Sequence, residues 1–152
     1  MKKRKGDPWI PNDAYGRLLP PFSMTLVVRE IERSLAFYRE VLEALVHYSD
    51  EDFAALKVGG ADFMLHADHT YDDNDWYPQL TEGAGRGVGV EVRLLGIDPE
   101  AVEERAKKAG APIVKATRVT GHGWREVMVA DPDGYVWAVG VTTEPGTEAD
   151  DE

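Results

Sequence analysis

The stretch that decides the fold is 124-WREVMVADPDGYVWAVG-140. Two apolar runs flank Asp131-Pro132-Asp133-Gly134, so it reads as strand, tight turn, strand. Aspartate suits such a turn because its carboxylate accepts from nearby backbone N–H groups, and Gly134 takes a positive φ cheaply. A calcium role for Asp131 and Asp133 is the weaker reading, because the run holds too few oxygen ligands.

Working outward, 112-PIVKATRV-119 reads as a third strand. A helix over Pro99–Ala109 precedes it, with Asp98 as N-cap, Pro99 at the first position and Gly110 just past the end. Before the helix, 87-GVGVEVRLL-95 alternates Val88, Val90 and Val92 on one face of a strand. The same order occurs earlier in the chain. Strand 22-FSMTLVV-28 leads to an amphipathic helix over Glu30–Glu43, which carries Ile31, Leu35, Phe37, Tyr38, Val41 and Leu42 near helical spacing. Strands 44-ALVHYSD-50, 53-FAALKV-58 and 61-ADFMLHA-67 follow, the last two joined at Gly59-Gly60, a strong hairpin signal.

The pattern is βαβββ twice, with a period of about 65 residues, too long for a solenoid unit. The expected class is α+β: one domain over 21–142, built of modules 21–67 and 86–142 joined by the polar loop 68–85. Each sheet should carry a helix on one face and leave the other open and concave. Residues 1–20 read as an extended arm and 143–152 as a disordered acidic tail.

Composition limits the function classes. The chain has 152 residues, a formal net charge of −11 and no cysteine. The acidity argues against nucleic acid as a partner and favours cationic small molecules, though its commoner role is solubility. Without cysteine there is no disulfide, thiolate metal site or cysteine nucleophile, which fits a cytoplasmic location. No apolar run approaches the ~20 residues of a membrane span, and the basic start KKRK lacks the apolar stretch of a signal peptide.

With Glu30 and 34-SLAFY-38 in the first half and 131-DPDG-134 before the last strand, residues 22–141 resemble the vicinal oxygen chelate superfamily. That superfamily includes glyoxalase I, extradiol dioxygenases, fosfomycin-resistance enzymes and bleomycin-resistance proteins. The resemblance implies paired βαβββ modules, a homodimer, and a ligand held in a cup. It places the family's usual metal ligands at Ser23, Met64, Gly87 and Ala138, none of which can ligate a divalent ion.

Strand alternation predicts what lines the cup. Met24, Leu26, Val28, Phe63, Leu65, Val88, Val90, Val92, Val127, Val129, Trp137 and Val139 should face the helices. Their neighbours should face the ligand. Among these, Met64, Met128 and Trp124 offer soft apolar surface, and His66, Glu91 and Glu126 are polar handles. Trp124 fits stacking on a ligand and capping of the core equally. Glu91 fits surface pairing with Arg93, Arg118 or Arg125. His122, in a glycine loop, fits solvent or the cup mouth, and Trp76 fits a lid or a subunit contact.

Three roles follow. The first is a metal-independent, resistance-type protein that binds an aromatic, cationic compound, with ligand contacts at His66, Glu91, Trp124, Glu126, Met64, Met128, His122 and Trp76 and no cofactor. The second is a lyase, isomerase or dioxygenase with a rearranged Fe, Mn, Ni or Zn site built from His66, Glu91, Glu126 or His122. The third is a scaffold with an idle cup.

Overall fold

The structure, a computed structural model, describes residues 1–83 and 85–150. The chain folds as two βαβββ modules. The first contains β1 (Thr25–Val28), α2 (Ile31–Glu40), β2 (Leu45–Ser49), β3 (Phe53–Val58) and β4 (Ala61–Ala67), preceded by a short helix α1 (Asn12–Leu18). The second contains β5 (Glu91–Leu95), α4 (Pro99–Ala109), β6 (Ile113–Val119), β7 (Trp124–Ala130) and β8 (Val136–Thr142), and α3 (Tyr77–Thr81) lies in the connection. Strand order is β1-β4-β3-β2 in one sheet and β5-β8-β7-β6 in the other. In each, the first and last strands pair in parallel and the remaining pairs are antiparallel, so both sheets are mixed.

The helix-facing residues of both sheets make one core. Leu26, Val28, Phe63 and Leu65 bury there with Val127, Val129, Trp137 and Val139, as the alternation predicts. Trp137 joins the halves: its ring centroid lies 5.7 Å from Tyr38 and 5.3 Å from Phe63. The helix over Pro99–Ala109 is capped as read, with the Asp98 side chain accepting from Glu100 N and Gly110 at φ 69°.

The Asp131–Gly134 turn does more than reverse the chain. Tyr38 Oη donates to Asp131 at 2.8 Å, and the Asp133 and Tyr135 amides donate to its other oxygen at 2.9 Å. Asp133 accepts from Arg29 Nη1 at 2.7 Å and from Ser34 Oγ at 3.3 Å. Tyr135 Oη donates to Val27 O at 2.9 Å. A turn of the second module is therefore clasped to β1 and α2 of the first. Burial pushes the Asp131 carboxyl above its ordinary value, against the Tyr38 and amide hydrogen bonds that pull it down.

Three expectations need correction. The arm is not extended throughout: it contains α1, and Trp9 stacks on Tyr48 with centroids 5.2 Å apart and planes 8° apart. Strand β5 begins at Glu91, not Gly87, because Gly87 and Gly89 take φ of 69° and 84° and turn the chain. Val88 and Val90 are consequently exposed rather than packed on a helix. The tail expected to be disordered folds back, Asp150 exchanging two hydrogen bonds with Val119; its last two residues lie outside the described residues.

Candidate functional site

The first sheet's concave face is covered by the chain's own N-terminal arm. Between them is a cavity of about 390 Å³. Thr25, Met64 and His66, alternate residues of β1 and β4, form its floor, and Phe53 and Tyr48 contribute from the neighbouring strands. Trp9, Ile10, Tyr15 and Leu19 of the arm form its roof. Tyr15 meets Phe53 edge-on at 5.4 Å, and Phe53 meets His66 edge-on at 5.1 Å.

Asp52 holds the arm down. Its side chain is buried and accepts from Lys3 N at 2.7 Å, Arg4 N at 3.2 Å and His69 Nε2 at 2.7 Å. Burial alone would raise this carboxyl, but the hydrogen bonds from His69 and the two arm amides hold it below its ordinary value. Among the described residues, His66 has no such partner. Its burial lowers its pKa, against the opposing pull of Asp50 and Asp52, so the cavity presents a neutral imidazole near pH 7.

The second sheet's concave face carries a different arrangement. Arg93 on β5 reaches Glu91 at 2.8 Å, His122 Nε2 at 3.0 Å and Glu126 at 3.4 Å, and its guanidinium lies 5.5 Å from the Trp124 ring centroid. The Glu126 carboxylate is only 3% exposed and also contacts His122 Nε2 at 3.2 Å. Gly140 on β8 makes room for it: a Cβ there would come within 2.9 Å of Glu126 Cβ.

The expected ligand contacts therefore divide. Met64 and His66 line the cavity. Glu91, Trp124, Glu126 and His122 gather on the other module around Arg93, and Met128 follows Glu126 at the next inward position of β7. Among the described residues, this cavity's lining ends at Thr70, so it belongs to the arm and the first module. Trp76 approaches only indirectly, packing on Tyr71 at 5.0 Å, which packs on His66 at 5.6 Å. Sequence reasoning missed Trp9, Tyr15, Tyr48 and Phe53 as cavity residues. The available signal was the arm's aromatic content, since a purely solvated segment has no need of Trp9 and Tyr15.

The profile of the Glyoxalase/Bleomycin resistance protein/Dioxygenase superfamily matches residues 21–139. The chain belongs to this superfamily. It is 30% identical over 139 residues to an uncharacterized protein of Mycobacterium bovis, covering 80% of this chain and 82% of that one. Among solved structures, it is similar to a glyoxalase-related enzyme from Fulvimarina pelagi, with TM-score 0.63, 18% identity, and coverage of 88% and 99% of the two chains. A superfamily member from Nocardioides gives TM-score 0.64 at 20% identity, covering 92% and 98%. These structural likenesses speak to the fold.

Metalloenzymes of this superfamily need a ligand set, and the residues here do not fit one. Among the described residues, no three His, Asp or Glu side chains are grouped to hold a metal ion. Met64 lies in the cavity and Ala138 is fully buried. At Gly87 no side chain fits at all: a Cβ would lie 2.8 Å from Tyr135 Cδ1 and 2.9 Å from Tyr135 Cα. The rearranged set is also split, because His66 is on the first module while Glu91, Glu126 and His122 surround a guanidinium. Among the described residues, no helix is long and apolar enough to cross a membrane.

Proposed function

We propose that this superfamily member binds a small aromatic compound in the cavity between its N-terminal arm and first sheet, without a metal. The observation that supports it is the cavity itself. Its volume of about 390 Å³ falls in the range of small-molecule sites, and its walls are mainly aromatic and aliphatic with few polar groups. A neutral His66 gives a ligand one hydrogen-bonding partner without a charge to desolvate. Met64 lends the floor adaptable surface. A homodimer in the cytoplasm is the setting this reading expects.

Titration with an aromatic compound panel, followed by tryptophan fluorescence, tests the reading. Trp9 is in the roof, so binding should change its emission, and Met64→Glu should abolish the change. Failure of the whole panel to bind below millimolar concentration sinks the proposal. Elemental analysis after soaking in Mn, Fe, Ni and Zn tests metal independence: the expected result is no stoichiometric retention, and one retained ion per chain overturns that part.

A second reading, proton transfer on the second module, has one observation in its favour, the buried Glu126 beside His122. Arg93 already compensates that carboxylate, which ranks the binding role first.

A further inference from the structure

We infer that the cavity's ligand is anionic: an aromatic body bearing a carboxylate that docks on Arg4, with Lys2 beside it. This rests on the proposed reading of the cavity as a binding site and reverses the charge that the acidic composition suggests. The cavity lining holds two fixed cations, Lys2 and Arg4, and one carboxylate, Asp52. Asp52 is fully engaged, by the Lys3 and Arg4 amides and by His69. Its hydrogen bonds hold the arm, and its charge still reaches His66.

Arg4 is the reverse case. Its side chain is only 15% exposed, and its Nε is buried with no hydrogen-bond partner. Its one side-chain contact among the described residues is Nη1 to Asp50 at 3.4 Å. Asp50 does not need it: Tyr48 Oη donates to Asp50 at 2.8 Å, and the Asp52 and Phe53 amides donate to its other oxygen at 2.8 Å. A guanidinium has five donors in a planar fork that suits a carboxylate. Nε is closed off, but Nη2 has no partner among the described residues and is not buried as Nε is, so it is the donor a ligand carboxylate can reach while Asp50 keeps Nη1. Lys2 forms no ion pair among the described residues and adds a second positive charge.

The other acids on inward strand positions have cationic or histidine partners. Glu91 and Glu126 are held by Arg93, and Asp62 faces His47 at 3.2 Å and Lys57 at 3.5 Å. A chain of net charge −11 disfavours anions over most of its surface, whereas at this wall Lys2 and Arg4 balance the charges of Asp50 and Asp52. The aromatic part of the ligand would lie among Trp9, Tyr15 and Phe53, with the carboxylate toward Arg4.

The test compares three probes of one shape at near-neutral pH by calorimetry: 2-naphthoate, 2-naphthamide and 2-naphthylmethylammonium. Naphthoate should bind about tenfold tighter than either analogue, as expected for one charge-assisted pair. Arg4→Gln should erase that advantage, bringing naphthoate to the affinity of naphthamide, and Arg4→Lys should restore part of it. Lys2→Gln should weaken naphthoate by a smaller factor. Equal binding of the three probes, or a naphthoate preference that survives Arg4→Gln, overturns the anion inference while leaving the binding site standing. Binding of none overturns both. Should Arg4→Gln lose naphthamide too, the arm has moved and Lys2→Gln decides: unchanged naphthoate affinity there overturns the inference.

Discussion

On the first sheet, Thr25, Met64 and His66 look across an apolar cavity at Trp9 and Tyr15. On the second, the corresponding concave face carries Arg93, Trp124 and Glu126, cross-linked to one another and open to solvent at Arg93 and His122. The two sheets share one strand order, one pattern of parallel and antiparallel pairing, and one core. What separates the faces is the covering and the charge. An aromatic arm turns one sheet face into a partly covered space, while a central guanidinium ties the other face to itself. Duplicated architecture thus supplies two surfaces, and the side chains added to each decide whether a ligand has anywhere to go.

The comparison breaks most severely at the clasp that makes both faces parts of one body. Asp131→Ala leaves Tyr38 Oη and two amides without their acceptor inside a buried turn. A loss of about 3 kcal/mol is expected, a Tm fall of about 6–12 °C, in a single transition. Calorimetry showing two separate transitions would mean that the modules unfold independently.

Removing residues 1–19 acts on the first face alone. Ligand affinity in the cavity should fall at least about tenfold, since the roof residues Trp9 and Tyr15 go with it. A truncated protein that binds as tightly as the full chain shows that the arm is not part of the site. Glu126→Gln sharpens the contrast from the other side. It removes the charge between Arg93 and His122 at a cost of about 1 kcal/mol in urea unfolding, with ligand affinity in the cavity unchanged. A shift in affinity there reveals coupling between the faces.

The smallest effect is a pH response confined to the arm. The Asp52 carboxyl is held below its ordinary value, so the anchoring it gives is present above the normal carboxylate range and is lost as pH falls through its lowered folded value. Trp9 emission should move toward that of exposed indole below about pH 4 while the β-sheet circular dichroism persists. Asp52→Asn should show the released emission already at neutral pH; an unaltered Trp9 signal there removes Asp52 as the anchor.

Much of this was legible in the sequence. Gly59-Gly60, the Asp98–Pro99 helix start, Gly110 and the Asp131–Gly134 turn each have local chemistry that admits few conformations, and each mark stands at the boundary it suggests. Alternation put Met64 and His66 on one face of β4, the face that lines the cavity, because β4 is regular and its other face is buried. The same rule failed at Val88 and Val90, where period two is present but Gly87 and Gly89 leave the extended region. The cavity was hidden for another reason. Its roof comes from residues 9–19 while Met64 and His66 of its floor lie some fifty residues further on, and no pattern within either segment states that they meet. Asp52, Lys3 and Arg4 carry that information only once folded, through two backbone amides that a sequence does not distinguish from any others.

Gly87 bears on what can be built from this chain. Returning a metal-binding set to the family positions looks, on paper, like four point substitutions. The backbone refuses the one at 87, because its φ of 69° and the 2.8 Å approach to Tyr135 leave no place for a histidine or glutamate side chain. A designer would first have to reshape the turn from Arg86 to Gly89 into a strand, and only then choose ligands. At position 87 the obstacle to a ligating side chain is main-chain path, which single-residue exchange cannot cross.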